Sequence, residues 1–247
     1  MSNLIFGYWR LRGLGEQIRL LLQYLGLEYK EIFYERGEPP ECNKEDWMKV
    51  KYTLGLDYPN IPYLIDGDFK MTESNAILRY LCEKYKPELL GESIRERAYV
   101  NMSVGVLLDI QNIRIRFVYE GKNFKGSEEL YSRMHNKLSE INTFLGKNKF
   151  LAGEKLTYPD LMFHELFEAI NDVLEPIIDK YPNIKRHYND INEIPSIKKY
   201  KEAREPLPYN YTNAIYGSTA EKTKFWKNYN IINLFYKIIE IIYLNFI

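Results

Sequence analysis

Residues 60–80, NIPYLIDGDFKMTESNAILRY, set a proline inside a short apolar run, follow it with an Asp66-Gly67 turn and then open a helix through Thr72-Glu73-Ser74. A proline at the start of a strand cannot donate to the ladder. A cis Ile61–Pro62 bond would also turn the preceding backbone outward, leaving its amide and carbonyl for an extended peptide. Just past the hairpin, a helix beginning near Ser74 offers unpaired N–H groups and a positive dipole end, which suit a carboxylate. One short stretch can therefore hold both the backbone and an acidic end of a small peptide. Taken alone, Pro62 serves equally as a turn former and Ser74 as a helix cap; the combination is what points to peptide binding.

Those residues need a scaffold, and hydrophobic periodicity supplies one. Residues 4–8 read as a strand, and 15–25 carry Ile18, Leu21, Leu22 and Leu25 at helical spacing with Gly26 placed to end the helix. Residues 29–34 alternate as a second strand, and a turn-rich Gly37-Glu38-Pro39-Pro40 precedes a short helical segment around Trp47. Residues 61–65 and 68–71 form two more strands around Asp66-Gly67, and 74–85 is helical again. The order is βαβ followed by ββα. From Ser93 onward the pattern is helical: 94–118, 130–145 and 161–170, the last announced by the capping-box signal Thr157-x-x-Asp160. The expected division is an α/β domain over 1–85, a linker over 86–92 broken by Pro87 and Gly91, an all-α domain over 93–217, and an apolar extension over 218–247.

Composition narrows the function. A chain of 247 residues, 45% hydrophobic, buries a substantial core, and 34 basic side chains balance 34 acidic ones. No global field gathers nucleic acid or anionic membrane, so any anion site is local. Cys42 and Cys82 have no CxxC spacing, and His135, His164 and His187 lie far apart, which argues against a metal centre or disulfide framework. The N-terminus does not read as a signal peptide, and a reducing cytoplasm is the expected location.

The stretches GYWRLRGLGEQIRLLL, LGLDYPNIPYLIDGDFKMTESNAILRY and FLAGEKLTYPDL resemble a cytosolic glutathione transferase of the mu class, with similarity running from about Leu4 to Leu207. The loop from Tyr34 to Pro40, followed by Trp47 and Lys51, is similar to the extended loop that marks that class. The resemblance implies a thioredoxin-like N-terminal domain, an all-helical C-terminal domain, and conjugation of glutathione to hydrophobic electrophiles, with glutathione as co-substrate and no separate cofactor.

By the same resemblance, Tyr8 matches the tyrosine whose hydroxyl hydrogen-bonds the glutathione sulfur. The chemistry is reasonable: a thiol with pKa about 8.5 is only about 3% ionised at pH 7, and lowering it by about two units makes most of it nucleophilic. That shift is worth roughly 2.7 kcal/mol, within reach of one hydrogen bond to a charged group. Trp9, Trp47 and Lys51 match the group around the glycyl end, Asn60 and Pro62 the central peptide, Ser74 the γ-glutamyl end, and Leu14 a backbone contact. Lys44 stands where the family usually has arginine, replacing a bidentate fork with a point charge. Glu73 stands where glutamine is typical.

The family is dimeric. Tyr58 matches an aromatic key that enters a pocket on the partner, Arg79 an arginine at the two-fold interface, and Asp109 an acid reaching the partner's glutathione ammonium. Asp109 lies in sequence among Val106, Leu107, Leu108, Ile110 and Ile113, where a buried acid wants a partner. Tyr119 matches a tyrosine that donates to a developing oxyanion, while Leu11, Leu108, Gln111 and Ile115 are expected to line an apolar electrophile pocket. After Leu207-Pro208 the sequence YNYTNAIYGS departs from the family's pocket-closing segment. A ligand carrier or structural protein on the same scaffold is the alternative function, and a glutathione-dependent isomerase also fits. The tail, KFWKNYNIINLFYKIIEIIYLNFI, gathers Lys227, Asn230, Asn233, Lys237 and Glu240 into one stripe, which suits an amphipathic helix better than a bilayer span and leaves its association with a membrane surface or partner open.

Overall fold

In the computed structural model Leu4–Trp9 forms β1, Lys30–Tyr34 β2, Tyr63–Asp66 β3 and Phe69–Thr72 β4. The model describes residues 4–38, 41–120, 124–174, 177–211 and 214. The expected extension over 218–247 lies outside the described residues. The sheet order is β2-β1-β3-β4. Strand β1 runs parallel to β2, with Tyr8 opposite Phe33, and antiparallel to β3, with Phe6 opposite Leu64. Strands β3 and β4 pair antiparallel around the turn at Gly67, whose φ of 67° is the left-handed region that glycine enters without a Cβ clash.

Helix α1 (Gly15–Tyr24) connects β1 to β2, and every residue from Gly15 to Leu22 is buried. That burial all round follows from its position: it packs against α3 (Ser74–Tyr85), α6 (Tyr158–Val173) and α8 (Pro195–Ala203). The charged residues on α1 are matched in place. Arg19 donates to Glu16 at 3.0 Å, to Glu31 at 2.7 Å and to the Leu11 carbonyl at 3.0 Å. The other oxygen of Glu16 accepts from the Tyr200 hydroxyl at 3.1 Å and from Arg204. Ile18, Leu20, Leu21 and Leu22 stabilise the junction through apolar burial, roughly 1.5–3 kcal/mol each.

Among the described residues the remaining helices are α2 (Glu45–Met48), α4 (Ile94–Glu120), α5 (Phe124–Leu145) and α7 (Pro182–Asn192), so a mixed sheet with helices is followed by a helical domain. The capping box at the start of α6 is present. Asp160 accepts from the Thr157 N–H at 2.8 Å and hydroxyl at 2.9 Å, and its second oxygen takes the Leu151 N–H at 2.8 Å and lies 2.9 Å from His187 Nε2. Between α3 and α4 the chain is a 3-10 turn, Pro87–Leu90, that buries Leu89 and Leu90.

Three expectations need correction. Strand β3 begins at Tyr63 rather than residue 61, because Pro62 has no N–H to give to the ladder and the Ile61–Pro62 bond is cis. Helix α5 begins at Phe124 rather than Leu130; polar Lys125, Ser127, Glu128 and Glu129 hide its first turn from an apolar pattern. Helices α7 and α8 were not separately expected, and each opens on a proline at its first position.

Candidate active site

Tyr8 stands near the carboxyl end of β1 with its ring buried and its hydroxyl oxygen accepting a hydrogen bond from the Leu14 backbone N–H at 3.0 Å. The run Gly13-Leu14-Gly15 closes over that ring. A Cβ on Gly15 would lie 2.5 Å from the ring, and one on Gly13, whose φ is 39°, would lie 2.8 Å from the hydroxyl oxygen. Glycine is what lets the start of α1 approach the phenol. Burial pushes the Tyr8 hydroxyl up to about 12, partly opposed by the Leu14 bond and the Arg19 charge. The phenol is therefore protonated at neutral pH. Its oxygen already accepts from Leu14, so its own proton is free to be donated away from the chain. The Leu14 N–H is correspondingly engaged with the phenol.

The residues expected to hold a peptide lie further along the same half. Asn60 is exposed and Pro62 buried at the cis bond, just before β3. Glu73 precedes α3 with φ 70° and ψ 113°, a conformation that costs a non-glycine residue of order 1–3 kcal/mol and is often found at ligand sites. Its carbonyl accepts the Ile77 N–H at 2.9 Å. The N–H groups of Ser74 and the next residues have no intrahelical acceptor, so they are available to an anion. Ser74 is half-buried and Glu73 exposed.

Trp47 is buried against Tyr34 and Tyr63, at ring centroid distances of 5.3 and 6.1 Å, and those two tyrosine hydroxyls are 2.9 Å apart. Lys44 is exposed on the loop before α2, and Lys51 is half-buried with its ammonium over the Tyr52 ring.

On α4, Leu108, Gln111, Ile115 and Tyr119, the residues expected to bound the electrophile, recur at helical spacing along one face. Leu11 is buried at the end of β1, while Leu108 is exposed. The chain after α8 then crosses back to this region. Pro208 accepts from the Arg12 N–H at 2.8 Å, Tyr209 lies under the Arg12 guanidinium, and Asn210 accepts from Arg114 at 2.8 Å. Tyr211 meets Trp9 edge-on at 5.9 Å, gives its backbone N–H to the Tyr119 hydroxyl at 3.0 Å and lies 4.2 Å from the Arg36 guanidinium. Thus the divergent segment, as far as it is described, packs against Trp9, Arg12, Arg114 and Tyr119, and the Tyr119 hydroxyl oxygen already accepts one bond.

Arg12, Arg36, Arg114, Asn210 and Tyr211 were missed by sequence reasoning, because nothing local in a helix or loop announces a partner some hundred residues away.

Arg12 also ties the two halves together. Its guanidinium bonds Glu165 and Glu168 on α6. The two carboxylates respond in opposite directions. Burial pushes Glu165 up to about 7 despite Arg12. Glu168 is held down to about 2, because Arg12, Lys201 and the nearby His164 outweigh its burial. Lys201 donates to it at 2.5 Å and the Tyr188 hydroxyl at 2.7 Å.

The three residues expected to face a partner are all exposed. Asp109 is exposed: its apolar sequence neighbours Leu107, Ile110 and Ile113 point to the core from other faces of α4, so they do not desolvate it. It borders a polar groove with Arg116, Arg133 and Lys137. Tyr58 is 80% exposed. Arg79 is exposed on α3 and donates to Asn101 at 2.8 Å. Among the described residues no cluster of three or more His, Cys, Asp or Glu side chains could hold a metal, and no helix is long and apolar enough to cross a membrane.

Comparison with known proteins adds an independent line. Residues 5–83 match the family model for the glutathione S-transferase N-terminal domain, and residues 109–204 match the model for the glutathione S-transferase C-terminal domain. The chain is 34% identical over 220 residues to glutathione S-transferase Mu 3 of Homo sapiens, covering 88% of this chain and 96% of that protein. It is 36% identical over 203 residues to glutathione S-transferase Mu 2 of Macaca fascicularis, covering 82% and 92%. The crystal structure of the glutathione S-transferase Blo t 8 superposes with a TM-score of 0.76 at 33% identity, over 86% of this chain and 99% of that one.

Proposed function

Because this chain belongs to the glutathione S-transferase family, within its mu class, we propose that Tyr8 is the residue that holds the glutathione thiolate for attack on a hydrophobic electrophile. The activity itself, conjugation of glutathione by a transferase with a thioredoxin-like domain, follows from that membership.

The observation that carries the assignment of Tyr8 is the Leu14 N–H bound to its hydroxyl oxygen at 3.0 Å. An oxygen that accepts there directs its proton outward, and a phenol raised to about 12 by burial keeps that proton at neutral pH. A sulfur placed opposite receives a hydrogen bond that is strongest when it is ionised. The tripeptide then runs along the segment before β3, with Asn60 and Pro62 at its central peptide. Its γ-glutamyl carboxylate lies at the first turn of α3 beside Ser74 and Glu73. Its glycyl end is met by Trp9, Lys44, Trp47 and Lys51. The electrophile occupies the side bounded by Leu11, Leu108, Gln111, Ile115 and Tyr119. Glutathione is a co-substrate, and the reaction calls for no further cofactor.

The same reading makes the working form a homodimer. Tyr58 is an exposed aromatic, and the groove between α4 and α5, lined by Met102, Val106, Ile141, Phe144 and Leu151, is an apolar socket of matching character. Arg79 lies at the two-fold face, and Asp109 reaches across to the partner's glutathione ammonium. Cys42 and Cys82, both buried and not joined in a disulfide, suit a reducing cytoplasm.

Steady-state conjugation of a chloronitroaromatic substrate, with retention on immobilised glutathione measured beside it, tests the reading. Turnover with retention is the expected result. Retention without turnover would make the protein a carrier.

A further inference from the structure

Arg114 is the buried cation that the reading above leaves without a role. It sits on α4, is 4% exposed, and donates through Nη1 to the neutral Asn210 side chain at 2.8 Å. Its Nε has no hydrogen-bond partner, and it forms no ion pair among the described residues. Arg12 and Arg19, comparably buried, each engage two carboxylates. A guanidinium keeps its charge in proteins, and a buried charge without an anion in contact is costly, so an aliphatic side chain would fill this place at less expense to stability.

The location explains what the charge faces. Arg114 lines a small void with Gly13, Gln17, Gln111 and Glu165. Gly13 is also the residue whose Cβ would touch the Tyr8 hydroxyl, so one residue borders both the phenol and the void that Arg114 lines. The Gln17 Nε2 is likewise without a hydrogen-bond partner. Of the charged groups around, Glu165 and Asp172 on α6 bear on Arg114, and Glu165 is already engaged by Arg12. Arg19, which also bears on Tyr8, is matched by Glu16 and Glu31; Arg36 bears on Tyr119 from the loop after β2.

We propose that Arg114 supplies a fixed positive field that supports the thiolate beside Tyr8, acting as a positioning residue behind the phenol rather than as a group touching sulfur. This rests on the assignment of Tyr8 made above. Burial raises the proton affinity of both Tyr8 and Tyr119, and the Arg114 charge opposes that rise at each, which is the direction a cation behind the site imposes on any anion formed there.

The test uses the full chain with Arg114→Gln, Arg114→Met and Arg114→Lys, and reads the bound thiol's pKa from thiolate absorbance in the glutathione complex. Both neutral variants are expected to raise that pKa by about one unit, about a tenfold loss of thiolate below the titration midpoint. Arg114→Lys should restore most of it. Binding of S-methylglutathione, which has no ionisable thiol, should change less than twofold, whereas a merely structural role would move it with the rest. A wild-type pKa in either neutral variant overturns the proposal, as does equal loss of S-methylglutathione binding or failure of both neutral variants to fold. Wild-type protein that leaves the thiol's pKa at its solution value would instead overturn the assignment of Tyr8. A pKa raised by Tyr8→Phe but indifferent to Arg114 overturns only the present inference.

Discussion

The backbone N–H of Leu14 points at the hydroxyl oxygen of Tyr8 from 3.0 Å, so the start of α1 fixes which way the phenol can give its proton. Tyr8→Phe removes both halves of this arrangement. The bound thiol's pKa is expected to rise by about two units, which corresponds to roughly 2.7 kcal/mol, and kcat/KM near pH 6.5 to fall by about fiftyfold. The fold and the glutathione Kd should change little. Titration of thiolate absorbance measures it; an unmoved pKa would remove Tyr8 from the mechanism.

Tyr58→Ser should weaken the dimer by about 2–4 kcal/mol, since an aromatic anchor leaves a partner's apolar groove unfilled. Sedimentation velocity over a concentration series reads this directly. Asp109→Ala, by contrast, should keep the dimer and raise the KM for glutathione several-fold. Native protein that sediments as a monomer at micromolar concentration would rule out both assignments.

Asp160 meets four groups at once, the Thr157 N–H and hydroxyl, the Leu151 N–H and His187 Nε2. Asp160→Ala leaves all four without their acceptor inside the core, at about 1–3 kcal/mol for each buried polar group. The expected outcome is a loss of at least ~3 kcal/mol in chemical denaturation, with Asp160→Asn intermediate. A loss under ~1 kcal/mol would show that other groups readily take its place.

Acid should unfold the protein through Glu168. Its folded pKa, about 2 against an ordinary 4.5, is depressed, so its contribution is full above pH 4.5 and disappears as pH falls toward 2. The size is about 3 kcal/mol. His164 works in the same direction: burial holds it down to about 3, so below its ordinary 6.5 the unfolded chain takes a proton that the folded one refuses. Glu165 has the opposite sign. Its folded pKa near 7 lies above the ordinary value, so ionising it costs stability as pH rises from 4.5 through 7. Thermal midpoints of Glu168→Gln and the parent from pH 3 to 7 should converge toward the acid end. Parallel curves would assign the acid limb to other groups.

Much of the fold was legible because its signals are local. Helix α3 occupies Ser74–Tyr85 as its apolar spacing demands, and the Thr157–Asp160 pair caps α6 because a capping box needs only four consecutive residues. The cis Ile61–Pro62 bond was likewise suggested by the proline's place in the run. What the sequence hid depends on contacts made at a distance. Arg114 reads as a polar interruption of α4 until Asn210, 96 residues later, is found beside it. Tyr211 is one of 22 tyrosines, and nothing in its neighbours foretells Trp9, Arg36 and Tyr119 around it. The exposure of Asp109 was hidden for the converse reason: adjacent residues in a helix point in different directions, so apolar neighbours in sequence do not bury it within its own chain.

Glu16, finally, sets a timetable. It emerges from the ribosome early, is destined for complete burial, and receives two of its donors from Tyr200 and Arg204, the latter 188 residues downstream. At about 5–20 residues per second, synthesis takes roughly 10–40 s to deliver them. Through that interval Arg19 alone partners the carboxylate within its own helix, and the first half of a nascent chain cannot close over α1. The face of α1 that α8 covers stays open until α8 is made, so a translation product ending before α8 leaves the Glu16 carboxylate short of two donors whatever the state of its sheet.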